Sequence, residues 1–283
     1  MSRFPLLPRK NNTSKSDYGH ALIIAVSRDM AGAPLMASLA ALRSGAGLVT
    51  LAVPRGLQAF LSKKAAPELM VLGFPATKEL SFAASAVKDV RAFLKKRKIS
   101  CVALGPGVSL HPQTQNFVRA LVKELPVPLV LDADGLNSLK GRSEILLKRK
   151  APLVMTPHAG EFERIFSQAL PESLARKKSL AQKLSRRYRA VLVLKGHRTL
   201  VVEGKKVYVN KTGNPGMAKG GSGDVLTGIL TAFIAQGLAP FEAARWAVYF
   251  HGRAGDLAVR AKGELGLLAT DIIEYLPAAF KAG

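Results

Sequence analysis

Residues 214–228 read NPGMAKGGSGDVLTG, and the reading of this stretch decides how the rest of the chain is understood. It opens on an Asn-Pro-Gly turn, crowds Gly220, Gly221 and Gly223 around Ser222, and sets Asp224 at the head of an apolar run. Glycine lacks a Cβ, so the backbone can turn sharply and approach a bound group closely. A helix that starts near Asp224 leaves its first N–H groups without partners inside the helix. Those donors and the helix dipole together make a pocket for an anion such as phosphate. Gly220, Gly221, Ser222 and Gly223 are therefore expected to form a phosphate hole. A carboxylate beside such a hole is poorly suited to holding phosphate. It is well suited to taking the proton from a hydroxyl that attacks phosphorus. The bland alternative is that Asp224 only caps its helix. The density of glycine ahead of VLTGILTAF favours the catalytic reading.

The familiar nucleotide fingerprints do not account for these glycines. The stretch lacks the order G-x-x-x-x-G-K-[ST], and neither GAGLVT nor GPGVSL completes G-x-G-x-x-G. Outward from the stretch, short β-rich runs alternate with helical ones. Strands are expected at 20–27, 48–54, 99–107 and 190–196, a strand and turn at 128–137, a strand, turn and helix over 151–166, and a hairpin over 198–210. Helices are expected at 33–45, 79–98, 114–125 and 173–189, and from Asp224 onward with breaks near Gly237 and Gly263. Such alternation predicts an α/β fold with a mostly parallel central sheet and helices on both faces. Neither a linker nor a repeat interrupts it, so residues 20–283 are expected to form a single domain behind a flexible, basic lead-in over 1–19. In such sheets ligands bind beyond the carboxyl ends of the strands. That rule singles out the turns GPG, DADGLN, TPHAGE and KGHRT.

Composition narrows the classes. The longest apolar runs are too short to span a bilayer, and the start has no signal-like apolar region, which predicts a cytoplasmic protein without a membrane partner. Cys101 is the only cysteine and lies in a predicted strand, so it reads as an inert core thiol. The net charge is +23, but the basic runs are short and scattered and only 6% of residues are aromatic. No nucleic-acid partner is expected, because single strands need stacking platforms. The charge reads as solvated helix faces, or as a field that draws in small anions.

The remaining turns each carry two readings. TPHAGE places His158 and Glu161 three apart at a helix entry: a substrate-binding histidine, or a polar turn with Glu161 as the helix's amino-terminal charge. The pair is a weak zinc signal without a third ligand, so no metal ligand is assigned. Asp132 and Asp134 in LDADGLN either reach a hydrated magnesium ion beside phosphates or cap a turn. Lys195, Arg198 and Thr199 in LKGHRT mark either a nucleotide-contacting turn or a hairpin corner. His20, His111 and His251 receive no role.

Taken together and in order, DMAGAPLMASLAALRSGAGLVT, LGPG, LDADGLN, TPHAGEFERI, LKGHRT and NPGMAKGGSGDVLTG resemble the ADP- or ATP-dependent NAD(P)H-hydrate dehydratases of the ribokinase-like superfamily. The resemblance covers roughly residues 20 to 280. It implies a repair enzyme that phosphorylates the hydroxyl of a hydrated nicotinamide ring and expels phosphate, restoring NADH or NADPH. By motif position, Asp224 would be catalytic, and Ala33, Gly107, His158 and Asp224 would contact the hydrated cofactor. Lys195, Gly196, His197, Arg198, Thr199 and Gly223 would hold ADP or ATP, with magnesium bridging the phosphates. The resemblance leans toward ADP as donor and toward a homotetramer. The roughly 20 residues ahead of the first strand leave no room for the epimerase domain that many relatives carry, so a separate NAD(P)H-hydrate epimerase is the expected functional partner. A kinase of the same fold, acting on a vitamin-precursor alcohol, is the competing reading. Two departures stand out: Val26 and Ser109 occupy positions where such relatives commonly have glycine.

Overall fold

The structure, a computed structural model, describes residues 4, 5, 9 and 11–281. In chain order its elements are β1 (His20–Ile24), α1 (Gly32–Arg43), β2 (Leu48–Pro54), α2 (Gln58–Lys64), β3 (Met70–Phe74), α3 (Ala86–Lys96), β4 (Cys101–Leu104), α4 (Pro112–Glu124) and β5 (Leu129–Leu131). Then come α5 (Ala133–Asn137), β6 (Leu153–Met155), α6 (Ala159–Phe166), α7 (Leu174–Tyr188), β7 (Val191–Leu194), β8 (Leu200–Glu203), β9 (Lys206–Val209), α8 (Ser222–Ala235), α9 (Pro240–Gly266) and α10 (Ala269–Lys281).

One nine-stranded sheet runs in the order β3-β2-β1-β4-β5-β6-β7-β8-β9. The pairings from β3 through β7 are parallel, and the β8–β9 hairpin closes one edge antiparallel. Successive side chains of a strand face opposite sides, and here both sides are covered. Ala21 and Ile23, with Cys101 and Ala103, enter one core with α1, α8, α9 and α10. Leu22 and Ile24, with Val102 and Leu104, enter the other with α3, α4, α6 and α7. That is why these strands read as unbroken apolar runs. Strand order reverses between β1 and β4, so the carboxyl ends of β1, β4 and β5 open onto a crevice. Cys101 is wholly buried and its thiol is pushed up by desolvation, as a core residue should be.

The fold departs from the sequence reading in three places. Helix α2 and strand β3 went unassigned; β3 is a five-residue edge strand without the clean alternation that marks a half-buried strand. The helix expected over 79–98 starts only at Ala86. Ahead of it Leu80 adopts φ 56°, and the Thr77 hydroxyl bonds that of Ser81 while the Thr114 hydroxyl donates to the Phe82 carbonyl. These hydroxyls offer the backbone a turn in place of a helix. The lead-in is anchored rather than loose at its described positions. Phe4 packs against Phe233, Trp246 and Phe250 with centroids 5.2, 5.0 and 4.6 Å away, Arg9 lies 4.1 Å over the Tyr18 ring, and Lys15–Tyr18 form a 3-10 turn. The rest of the expected lead-in, residues 1–3, 6–8 and 10, and the last two residues of the expected domain lie outside the described residues.

Helix α8 is buried on every side from Val225 to Ala235, which fits its largely apolar sequence, and its two threonine hydroxyls are bonded to Asp132 and to the Thr227 carbonyl. It can pass this close to α1 because Gly228 has no side chain. A Cβ there would fall 2.1 Å from the Ala37 carbonyl oxygen and 2.8 Å from the Ala40 Cβ. Gly228→Ala is therefore expected to cost about 1–3 kcal/mol of stability through overpacking, read as a lower midpoint in urea unfolding; an unchanged midpoint would mean the two helices separate freely.

Candidate active site

Beyond the carboxyl ends of β5, β6 and β7 lies a cavity of about 840 Å³. Its walls include Asp132, His158, residues 195–199 and residues 221–224. It thus unites the expected nucleotide turn, the expected substrate histidine and the glycine-aspartate stretch. Ala33, Gly107 and Gly220 are not among its walls. Ala33 sits half-buried in the first turn of α1, and Gly107 lies in the β4–α4 turn under Met30. These two sit beyond β1 and β4, beside the cavity rather than in it.

Gly221 precedes α8 with φ +93°, and a Cβ on it would strike the Met36 side chain 2.5 Å away. Only glycine meets both demands cheaply. The first N–H to bond within α8 is that of Val225, to the Gly221 carbonyl at 3.1 Å. Ser222 is already engaged: its N–H bonds the Lys219 carbonyl at 3.3 Å and its hydroxyl bonds the Met217 carbonyl at 2.7 Å. The expected hole over 220–223 therefore shifts toward the N–H groups of Gly223 and Asp224. Asp224 is half-buried, makes no hydrogen bond or ion pair among the described residues, and does not cap its helix. The helix-cap alternative fails on that ground. Burial first, then the negative charges of Asp132 and Glu161, push its pKa up to about 7 against the pull of Lys195.

Those neighbours form a tight cluster. Lys195 Nζ lies 2.7 Å from Asp132 Oδ1 and 3.5 Å from Glu161 Oε2. Asp132 Oδ2 also accepts the Thr227 hydroxyl at 2.7 Å. Burial alone would raise the pKa of Asp132; the Lys195 charge and the hydrogen bonds from Lys195, Thr227 and Thr156 outweigh it and hold Asp132 below its ordinary value. Burial would lower that of Lys195, and its two carboxylates outweigh that and hold it above. Lys195 therefore lines the cavity with its ammonium paired to both carboxylates.

His158 is the N-cap of α6. Its Nδ1 accepts the N–H of Gly160 at 3.1 Å and of Glu161 at 3.3 Å, while Glu161 Oε2 accepts the His158 N–H at 2.8 Å. This reciprocal capping is what the three-residue spacing encodes. With Nδ1 an acceptor, Nε2 carries the proton and faces Glu161 Oε1 at 3.4 Å. Asp134 turns away from the cavity: its Oδ2 accepts the Ser109 N–H at 3.0 Å. Val26 and Ser109, the two departures from glycine, both sit at positive φ, 85° and 79°. The glycine-like backbone is kept, at a cost of roughly 1–3 kcal/mol per strained residue, and Val26 is secured by its N–H bond to the Pro106 carbonyl at 2.9 Å.

Sequence reasoning missed two participants. Thr227 follows Asp224 by three positions on the same helix face, a spacing that could have exposed it. His251 lines the cavity with its Nε2 buried and without a partner. Burial, and less strongly the Lys195 charge, hold its pKa down to about 4 against a backbone hydrogen bond with Ser222. Lone histidines in helices give no such signal. As for magnesium, no group of three or more ligating His, Cys, Asp or Glu side chains occurs among the described residues. Asp132 and Glu161 already spend their oxygens on Lys195, Thr227 and backbone. The residues present do not form a magnesium cage; they suit an ion carried on a nucleotide's phosphates, with no side chain assigned to it.

A mostly parallel sheet, a buried helix whose amino terminus opens on a cavity at its carboxyl edge and a carboxylate beside it define a ribokinase-like α/β protein. A ribokinase-like protein from Enterococcus faecalis superposes with a TM-score of 0.81 at 28% identity, over 98% of this chain and 92% of that one. Residues 21–278 match the profile of the NAD(P)H-hydrate dehydratases, and the chain belongs to that family. It is 41% identical over 273 residues to the bifunctional NAD(P)H-hydrate repair enzyme Nnr of Moorella thermoacetica, covering 96% of this chain and 51% of that protein. It thus spans about half the length of the curated relatives it matches. The Bacillus subtilis ADP/ATP-dependent NAD(P)H-hydrate dehydratase, co-crystallised with ATP and Mg2+, superposes with a TM-score of 0.79 at 29% identity, over 97% of this chain and 93% of that one.

The raised pKa of Asp224 has a consequence for stability. A carboxyl that titrates near 7 in the fold and near 3.8 when unfolded binds more protons folded than unfolded between those values. Ionising it therefore lowers stability as pH rises from about 4 to about 7. Asp224→Asn is expected to melt higher than the parent above pH 7, by at most about 4 kcal/mol and less as solvent reaches the group. The difference should fade toward pH 4. A gap that is flat with pH would place Asp224 in ordinary solvent.

Proposed function

We propose that this chain dehydrates hydrated NADH and NADPH back to the reduced cofactors, at the expense of a phosphoryl group from ADP or ATP. The carrying observation is Asp224: a carboxylate without partners, facing a large cavity at the amino terminus of a buried helix. In the first step the ring hydroxyl oxygen forms a bond to the terminal phosphorus. The phosphoanhydride bond breaks, its electron pair leaving with the nucleotide, and the hydroxyl proton passes to Asp224. In the second, the ring C–O bond breaks and phosphate departs with the electron pair. The adjacent ring carbon gives a proton to water, and that C–H pair becomes the restored double bond. Phosphorylation matters because hydroxide is a poor leaving group and phosphate a good one. The N–H groups at the head of α8 lie where the phosphoryl charge develops. Magnesium, when bound with the nucleotide, supplies charge neutralisation. His158, its ring half exposed on the cavity wall, would pack against the hydrated ring, and residues 195–199 form the nucleotide's side of the cavity. Arg198 and Lys219, both exposed cations of the cavity wall, are placed to draw in phosphates.

The finer reading is an ADP-dependent (S)-NAD(P)H-hydrate dehydratase, a hydro-lyase, working in the cytoplasm as a homotetramer. An epimerase that interconverts the two hydrates would feed it. The longer relatives are named bifunctional repair enzymes, so in them a second activity shares the chain. The test mixes purified protein with hydrated NADPH, magnesium and either ADP or ATP. Reduced-nicotinamide absorbance should return with equal release of phosphate, and the faster nucleotide identifies the donor. A stable phosphorylated product would favour the small-molecule kinase instead. Asp224→Asn should lower turnover by about 10²–10⁴-fold, the usual worth of a general base, while calorimetry shows nucleotide affinity within a few fold of the parent.

A further inference from the structure

Two buried carboxylates, Asp132 and Glu161, have no part in the steps above. Their side chains are 2% and 5% exposed, and between them lies the single ammonium of Lys195, itself 18% exposed. The pair of Asp132 and Lys195 sits directly under the turn that presents Asp224. A Cβ on Gly223 would lie 3.5 Å from Lys195 Nζ and 3.9 Å from Asp132 Oδ2. Thr227, one turn further along α8, donates its hydroxyl to that same Asp132 oxygen. Three carboxylates thus share one cation. A Lys195 that left to grip a phosphate would strand two buried negative charges, which is costly.

We propose that Asp132, acting through Lys195, is a positioning residue that governs the charge state of Asp224: the buried pair parks the ammonium beneath the acid and fixes how readily it ionises. The proposal rests on the reading of Asp224 as the proton acceptor. Asp132 places a negative charge near Asp224 and opposes its ionisation; Lys195 favours it; Glu161, on α6, opposes it. The other groups facing this region leave the balance intact. His251, on α9, stays neutral. His158, at the head of α6, is committed as a cap. Lys219 donates to the Leu265 carbonyl. On the α10 side Asp271 pairs with Lys262. Arg198 and His197 line the cavity but are exposed, as are Arg28 and Asp29 ahead of α1.

The signature is a pair of shifts with opposite sign. Asp132→Asn removes an opposing charge and leaves Lys195 to Glu161 and Asp224, so Asp224 ionises at lower pH. Lys195→Gln removes the favouring charge, so it ionises at higher pH. Each shift is expected to be about one pH unit or more, the size that a near charge imposes. The first readout needs no substrate: the stability gap between each background and its Asp224→Asn partner, followed by thermal melting from pH 4 to 9. The gap opens from about pH 4 and levels off where folded Asp224 ionises; that levelling point, the midpoint of its titration in the fold, should lie near pH 7 in the parent, fall in the Asp132→Asn background and rise in the Lys195→Gln background. The second is the acidic limb of kcat/KM, which should move in step. Glu161→Gln, expected to shift both downward, stands in if Asp132→Asn does not fold. A midpoint that stays put overturns the proposal, as does a uniform loss of rate with unmoved limbs, the mark of a purely structural role. So does a raised KM for nucleotide in Lys195→Gln with an unmoved midpoint, which would make Lys195 a phosphate ligand. Shifted midpoints in a protein that turns over no hydrated cofactor would uphold the charge coupling and sink the dehydratase reading alone.

Discussion

A helix buried on every side still has to begin somewhere, and α8 begins on a cavity. Everything else about the site follows from that constraint. The helix is buried from Val225 to Ala235 and is pressed against α1 at Gly228, so its axis cannot shift to relieve strain at its start. Its amino terminus is therefore fixed relative to the sheet. The free N–H groups of its first turn, and the carboxylate of Asp224 beside them, point into the cavity as a preorganised unit. Preorganised dipoles act without reorganising as charge develops, and a rigid buried helix is a good way to hold them.

The cost of that placement is electrostatic. Putting Asp224 over the carboxyl ends of β5 to β7 sets it among Asp132 and Glu161, with one lysine for three acids. Thr227, Thr156 and the His158 capping box absorb much of the strain by hydrogen bonding Asp132 and Glu161. The acid left without partners is the one that faces the ligand space. A group that titrates near neutrality is suited to giving and taking a proton at physiological pH, and here the environment, not the residue type, confers that property.

The glycine departures show how the fold tolerates substitution at its ligand edge. Val26 and Ser109 hold the left-handed backbone that glycine would adopt freely. Each is secured by a hydrogen bond from its own N–H, to the Pro106 carbonyl and to Asp134. Asp134, which the sequence offered as a possible magnesium neighbour, spends its carboxylate on this instead.

Much was legible in the residues alone. Period and turn chemistry marked most strands and helices, because both faces of a parallel sheet are buried and their side chains must be apolar. The glycine-aspartate stretch marked the cavity edge where α8 begins, because free N–H groups and close backbone approach are local properties. Edge strand β3 and the start of α3 escaped, since an edge lacks the pattern and a hydroxyl-bonded turn imitates a helix start. Tertiary structure alone decided that Lys195 pairs with Asp132 and Glu161, that His251 lines the cavity while Thr227 bonds Asp132 behind its wall, and that Ala33 and Gly107 are not among the walls. Each depends on which residues distant in the chain are brought within a few ångströms. Coulomb forces and desolvation act over those distances, and spacing along the chain does not encode them.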